Sequence, residues 1–122
     1  MFDSLKGMAG MASLMRDLPR IRARLGEVRA RAETTRVTAT SGGGAVTVVA
    51  TCKLTIERVE IDPNLLAALG SDAANRDFAA ELIREATNDA LERARSAMMD
   101  ALAEAARDLD LPISPAQLKE FL

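Results

Sequence analysis

A chain of 122 residues fits one domain, and with 2% aromatic residues and no Trp or Tyr its core falls to Ala, Leu, Val, Ile and Met. Side chains of that size suit close helix–helix seams and a thin sheet, so a modest core points to oligomerisation. The absence of histidine and the single cysteine, Cys52, exclude histidine-based catalysis and an internal disulfide.

No apolar run approaches the roughly 20 residues of a membrane helix. The first residues lack the basic start and apolar run of a secretory leader, so a soluble, cytoplasmic protein is expected. The net charge of −2 conceals a division along the chain. Residues 1–36 hold eight basic side chains against four acidic ones, a net of +4, whereas residues 37–122 hold eight against fourteen, a net of −6. Such segregation makes the basic N-terminal part a candidate contact surface.

The first element expected is a helix over about residues 5–34. Met11, Leu14, Leu18, Ile21, Leu25, Val28 and Ala32 alternate in steps of three and four, a heptad seam that lays one helix on another. Pro19 interrupts it, having no amide hydrogen to donate, so the helix is either kinked there or begins there. Both versions keep Ile21, Leu25, Val28 and Ala32 on one face. Arg20, Arg22, Arg24, Arg29 and Arg31 fall off the seam and are expected to face outward.

The periodicity then changes to two over about residues 36–61. Arg36–Thr40 reads as a strand, Ser41-Gly42-Gly43-Gly44 as a turn, and Ala45–Thr51 as a second strand with Val46, Val48 and Ala50 on one face. Leu54–Ile61 makes a third strand, in which the apolar phase shifts between Ile56 and Val59. That shift predicts a bulge near Glu57 and Arg58. Asp62-Pro63 ends the strand. Connections this short impose an antiparallel three-stranded meander.

Gly70-Ser71-Asp72 reads as loop and Asp77 as the cap of a long helix over about residues 77–109. Ile83, Ala86, Ala90, Ala94, Ala97, Ala101 and Ala105 form a narrow stripe on it, widened by Leu82, Leu91, Met98 and Leu102. A helix of that length outruns a three-stranded sheet, so part of it projects or pairs with another helix. The tail, residues 110–122, contains Pro112 and a Ser114-Pro115 helix start, giving a short terminal turn through Phe121. The expected fold class is α+β, in the order α-β-β-β-α, within a single domain spanning residues 1–122.

This order of elements, with particular words in it, resembles the YbaB/EbfC nucleoid-associated family. The words are the Met-rich N-terminal helix, Val37-Thr38-Ala39-Thr40-Ser41-Gly42-Gly43-Gly44-Ala45-Val46-Thr47-Val48, and Arg58-Val59-Glu60-Ile61-Asp62-Pro63-Asn64-Leu65-Leu66. Leu82-Ile83 and Ala86-Thr87-Asn88-Asp89-Ala90 follow. The resemblance covers about residues 5–105. It implies a tweezer-like homodimer with helical arms leaving a shared sheet, bound to double-stranded DNA in the nucleoid, with no enzymatic activity and no cofactor. The chain departs from the family pattern at Pro19 and at Thr51-Cys52-Lys53, where an Asn-Gly-type turn is usual. It also carries Arg and Ala in place of a Lys- and Gln-rich surface.

Arginine donates to phosphate oxygens in a planar fork. The candidate DNA contacts are therefore Arg20, Arg22, Arg24, Arg29 and Arg31, with Arg16 and Arg36 as outer members. The bland alternative is a solvated helix face partly paired with Asp17, Glu27 and Glu33. The glycine turn lacks the Gly-Lys-Ser/Thr ending of a phosphate loop, and no histidine or set of carboxylates has metal-ligand spacing. Asn88 is expected to bond helix to sheet, Cys52 to be inert, and the methionines to fill the core or a dimer seam. A rival function is a dimeric protein-interaction module of the same fold that has lost DNA binding, with an unidentified protein partner on the long alanine-striped helix.

Overall fold

The computed structural model describes residues 2–110, 116 and 119. Helix α1 (Phe2–Thr34) leads into strands β1 (Arg36–Ser41), β2 (Val46–Thr51) and β3 (Ile56–Ile61). Helices α2 (Pro63–Leu69) and α3 (Ala73–Leu109) complete the described fold. The three strands form one antiparallel sheet in the order β1-β2-β3, and the class is α+β. The short terminal turn expected through Phe121 lies outside the described residues.

Pro19 neither ends nor begins α1, because the helix runs through it. The missing amide hydrogen would have bonded the carbonyl of Met15, four residues back. Met15 is 69% exposed, so water can take that bond. Of the seam, Ile21, Leu25, Val28 and Ala32 are buried and Leu18 is half-buried. The side chains of Met11 and Leu14 lie outside the described residues.

In the sheet, Val46, Val48 and Ala50 are wholly buried on the face that carries α3. Their cross-strand partners are Ser41, Ala39 and Val37 on β1 and Ile61, Val59 and Ile56 on β3. Val49 pairs with Arg58 and the next residue, Ala50, with Ile56, so Glu57 is the extra residue of the expected bulge. The third strand begins two residues later than its sequence suggests. Leu54 takes a left-handed backbone, φ 65°, and its amide bonds the Thr51 carbonyl at 2.9 Å, so it belongs to the turn. A left-handed backbone at a β-carbon-bearing residue costs about 1–2 kcal/mol.

Three features of the helical part differ from expectation. Asp62-Pro63 does more than end β3: the Asp62 carboxylate accepts from the Asn64 amide at 2.8 Å and caps α2, with Pro63 in the first turn. That helix is two turns long, too short for periodicity to reveal. The cap of α3 is Asp72, not Asp77, and it accepts from the Asn75 amide at 2.8 Å. Asn88 faces solvent and is not a helix–sheet bond. The Ser41 hydroxyl instead donates to the Leu82 carbonyl at 2.5 Å and Arg93 to the Thr38 carbonyl at 3.4 Å.

Helix α3 divides into two packing regions. Its first half lays Ala79, Leu82, Ala86, Ala90 and Ala94 over β1 and β2. Alanine at the contact lets the helix axis approach the sheet closely, which a leucine stripe would prevent. The second half leaves the sheet and packs Leu102, Ala105, Ala106 and Leu109 against Ile21, Leu25 and Val28 of α1. The part of α3 that outruns the sheet therefore pairs with α1, antiparallel, as a two-helix arm.

Candidate nucleic-acid interface

Helical geometry sorts the arm's arginines before any contact is considered. Residues seven apart return to the same side of a helix, so Arg22 stands with Arg29, and Arg24 with Arg31. Arg20 lies one turn before Arg24 on the second side. With Ile21, Leu25, Val28 and Ala32 turned to α3, the two sets occupy opposite flanks of the seam.

The flank carrying Arg24 is extensively compensated. Arg24 donates through Nη1 to Glu27 Oε2 at 2.9 Å and through Nη2 to Asp108 Oδ2 at 2.8 Å. Its side chain is only 23% exposed, so it is half-buried rather than outward-facing. The hydrogen bond to Glu27 leads in holding its guanidinium in the charged form more firmly than usual, and partial desolvation works against this. Arg20 donates to the Leu109 carbonyl at 3.1 Å, a favourable partner for the negative end of α3, and lies 3.7 Å from Asp17. Arg31 shares a cavity wall with Arg24, and Asp100 and Glu104 line the same cavity.

On the opposite flank, Arg22 and Arg29 line a hollow with Ile21, Leu25 and Gly26. Arg29 also lines a neighbouring cavity of about 250 Å³ with Lys53, Arg95 and Lys119 above Cys52, Leu54, Met98 and Met99. Lys53 pairs with Glu33 at 2.9 Å and Arg95 with Glu92 at 2.8 Å. The Lys53 ammonium, above all through its hydrogen bond, draws the Glu33 carboxyl below its ordinary range.

The outer members lie apart from both groups. Arg16 is exposed on α1, beyond the end of α3. Arg36, on β1, donates to Glu57 at 2.6 Å, and this bond lowers the Glu57 pKa and raises that of Arg36. The structure thus brings Arg22 and Arg29 together, separates them from Arg20, Arg24 and Arg31, and leaves Arg16 and Arg36 outside both sets. Lys53 and Arg95, which periodicity on α1 could not indicate, join Arg29 from the β2–β3 turn and from α3. Their only sequence signal was that each is basic and off an apolar face.

Cys52 lies at the base of the arm, where it lines cavities on both flanks, and is 4% exposed. Burial pushes its thiol pKa up, away from the reactive thiolate. Among the described residues no group of three or more Cys, Asp or Glu could hold a metal ion, and no helix is long and apolar enough to cross a membrane.

Comparison with solved structures shows a similar fold in an uncharacterized protein from Helicobacter pylori. The TM-score is 0.62 at 19% identity, over 73% of this chain and 88% of that one. A nucleoid-associated protein of Granulibacter bethesdensis is 30% identical over 105 residues, covering 86% of this chain and 94% of the relative. The pattern that defines the YbaB/EbfC DNA-binding family matches residues 8–109, from α1 to the last residue of α3. The chain belongs to the YbaB/EbfC DNA-binding family.

Proposed function

We propose that this protein is a nucleoid-associated, largely sequence-independent DNA-binding protein that acts in the cytoplasm as a homodimer, through phosphate contacts from its arm. The observation that carries this reading is the set of exposed arginines on an arm that stands clear of the sheet. Each neutralised phosphate releases condensed counterions, so such a surface gains affinity without reading bases. Membership of the DNA-binding family supports the same partner. Neither a catalytic step nor a cofactor enters the proposal.

Two features support a homodimer. Strand β3 is a sheet edge, and its Val59, on the face that carries α3, remains 44% exposed because α3 packs over β1 and β2. Helix α1 also continues past its meeting with the end of α3 at Arg20, and Met15 on that extension is 69% exposed. A second copy would cover such surfaces and double the number of arms presented to a duplex.

The test is fluorescence anisotropy of labelled duplexes of unrelated sequence across a salt series, with the oligomeric state followed by light scattering. Similar affinities for all duplexes, weakening steeply with salt, support the proposal. A folded dimer that binds no duplex at low salt refutes it and favours the protein-interaction module.

A further inference from the structure

Resting on the DNA-binding reading, a narrower inference concerns which side of the arm meets the duplex. We propose that DNA lies against the flank carrying Arg22 and Arg29, where Lys53 and Arg95 extend the contact surface onto the β2–β3 turn and α3, and not against the flank of Arg20, Arg24 and Arg31.

Local charge is the first argument. The Arg22/Arg29 flank sets Arg22, Arg29, Lys53, Arg95 and Lys119 against Glu33 and Glu92. The other flank sets Arg20, Arg24 and Arg31 against Asp17, Glu27, Asp100, Glu104 and Asp108. The first is net positive and the second net negative. A phosphate approaching Arg31 enters a cavity that Asp100 and Glu104 of α3 also line, where carboxylates repel it over the Debye length of about 8 Å at physiological salt. The whole-chain charge of −2 hides this because the acids of α3 are distributed unequally about the seam.

The second argument is the cost of releasing each cation from its present partner. Lys53, Arg95 and Glu33 are about half exposed, and Glu92 is 70% exposed. Exposed pairs of this kind contribute about 0–1 kcal/mol, so a phosphate can replace the carboxylate at little cost. Arg24 is mostly buried and joins the two helices of the arm. Turning it toward DNA would break a bond that the arm uses for its own packing.

The test compares full-length variants by anisotropy over a salt series, with circular dichroism to establish that each is folded. Arg22→Ala/Arg29→Ala is expected to weaken binding about tenfold or more at 0.1 M salt and to flatten the salt slope by about one for each phosphate left without its arginine. Arg95→Ala acts in the same direction. Arg31→Ala, which removes a cation from the compensated flank, is expected to change affinity less than about twofold, the scale of a screened charge. As an independent readout, bound duplex should slow acetylation of Lys53 several-fold, as read by mass spectrometry. A wild type that binds with a steep salt slope while Arg31→Ala weakens it as much as the double variant, or while Lys53 labelling is unchanged, overturns the flank assignment alone. A folded wild type that binds no DNA at low salt overturns the flank assignment together with the function on which it rests.

Discussion

Arg24 and Asp108 meet at 2.8 Å across 84 residues of chain, so a side chain with the spacing of a DNA contact serves as the tie between the two helices of the arm. Glu27 holds the other side of the same guanidinium at 2.9 Å. Replacement of Arg24 by alanine should therefore lower the thermal midpoint, whereas Arg22→Ala, on the opposite flank, should leave it nearly unchanged. Added salt should narrow the gap between wild type and Arg24→Ala. Differential scanning calorimetry of the three proteins at two salt concentrations decides this, and equal midpoints for the two variants would remove the structural role assigned to Arg24.

Leu102 is wholly buried at the centre of the arm, against Ile21, Leu25 and Val28. Truncation of a buried leucine to alanine removes transfer energy and leaves a cavity, costing about 2–5 kcal/mol. Urea titration of Leu102→Ala should show a loss in that range. Hydrogen exchange should show that the loss is concentrated in the arm, with protection of β2 less affected.

The glycine turn offers a paired comparison. Gly42 (φ +60°) and Gly43 (φ +67°) both take left-handed backbone, but a β-carbon on Gly42 would stand 2.8 Å from a Leu82 methyl while one on Gly43 meets nothing within 4 Å. Gly43→Ala should cost about 1–2 kcal/mol, the backbone penalty alone. Gly42→Ala should cost more, and the excess should shrink in a Leu82→Ala background. A double-mutant cycle measures that coupling.

Acid should destabilise the fold through specific carboxylates. Glu33 beside Lys53, Glu57 beside Arg36 and Glu81 beside Arg84 all have carboxyl pKa values held below the ordinary 4.5. A depressed folded-state pKa gives stability that is present above the unfolded value and lost as pH falls through the folded one. The loss should begin near pH 4.5 and deepen below it. Glu33→Gln/Glu57→Gln/Glu81→Gln should flatten this acid limb in a pH series of urea midpoints.

Cys52 is 4% exposed, with its thiol pKa raised by burial. The raised value means that the neutral thiol stabilises the fold at neutral pH and that this contribution falls away as pH rises through the thiol range. Iodoacetamide at pH 7.5 should label the native protein far more slowly than the urea-unfolded one. Equal rates would show that the base of the arm is open.

Much of this architecture was legible in the sequence because it follows local periodicity. The seam from Ile21 to Ala32, the stripe from Ala86 to Ala94 and the bulge at Glu57 all follow from spacing alone. Helix α2 was not legible, since seven residues after Asp62 give too few turns for a pattern. Nor was the charge environment of each set of arginines. Spacing on α1 separates Arg22 and Arg29 from Arg24 and Arg31, but which set meets carboxylates depends on the antiparallel register of α3, fixed only in three dimensions. Asp108 reaches Arg24 by virtue of that register, and the same register leaves Arg29 near Lys53 and Arg95. The resemblance to a DNA-binding family supplied the partner, and the charge of each flank had to come from the structure.

The pairing of α1 with the end of α3 also sets an order of events during synthesis. Sheet pairing and the packing of α3 on β1 and β2 involve residues 36–94, a comparatively local set of contacts. The bonds from Arg20 to Leu109 and from Arg24 to Asp108 span 89 and 84 residues. Closing so long a loop is entropically expensive unless the intervening chain has already folded. Helix α1, which leaves the ribosome before the sheet and α3, is thus the last of these elements to find its partner within its own chain. Until residue 109 has emerged, the apolar side of α1 at Ile21, Leu25 and Val28 is open to any other helix at hand, including α1 of a neighbouring nascent chain.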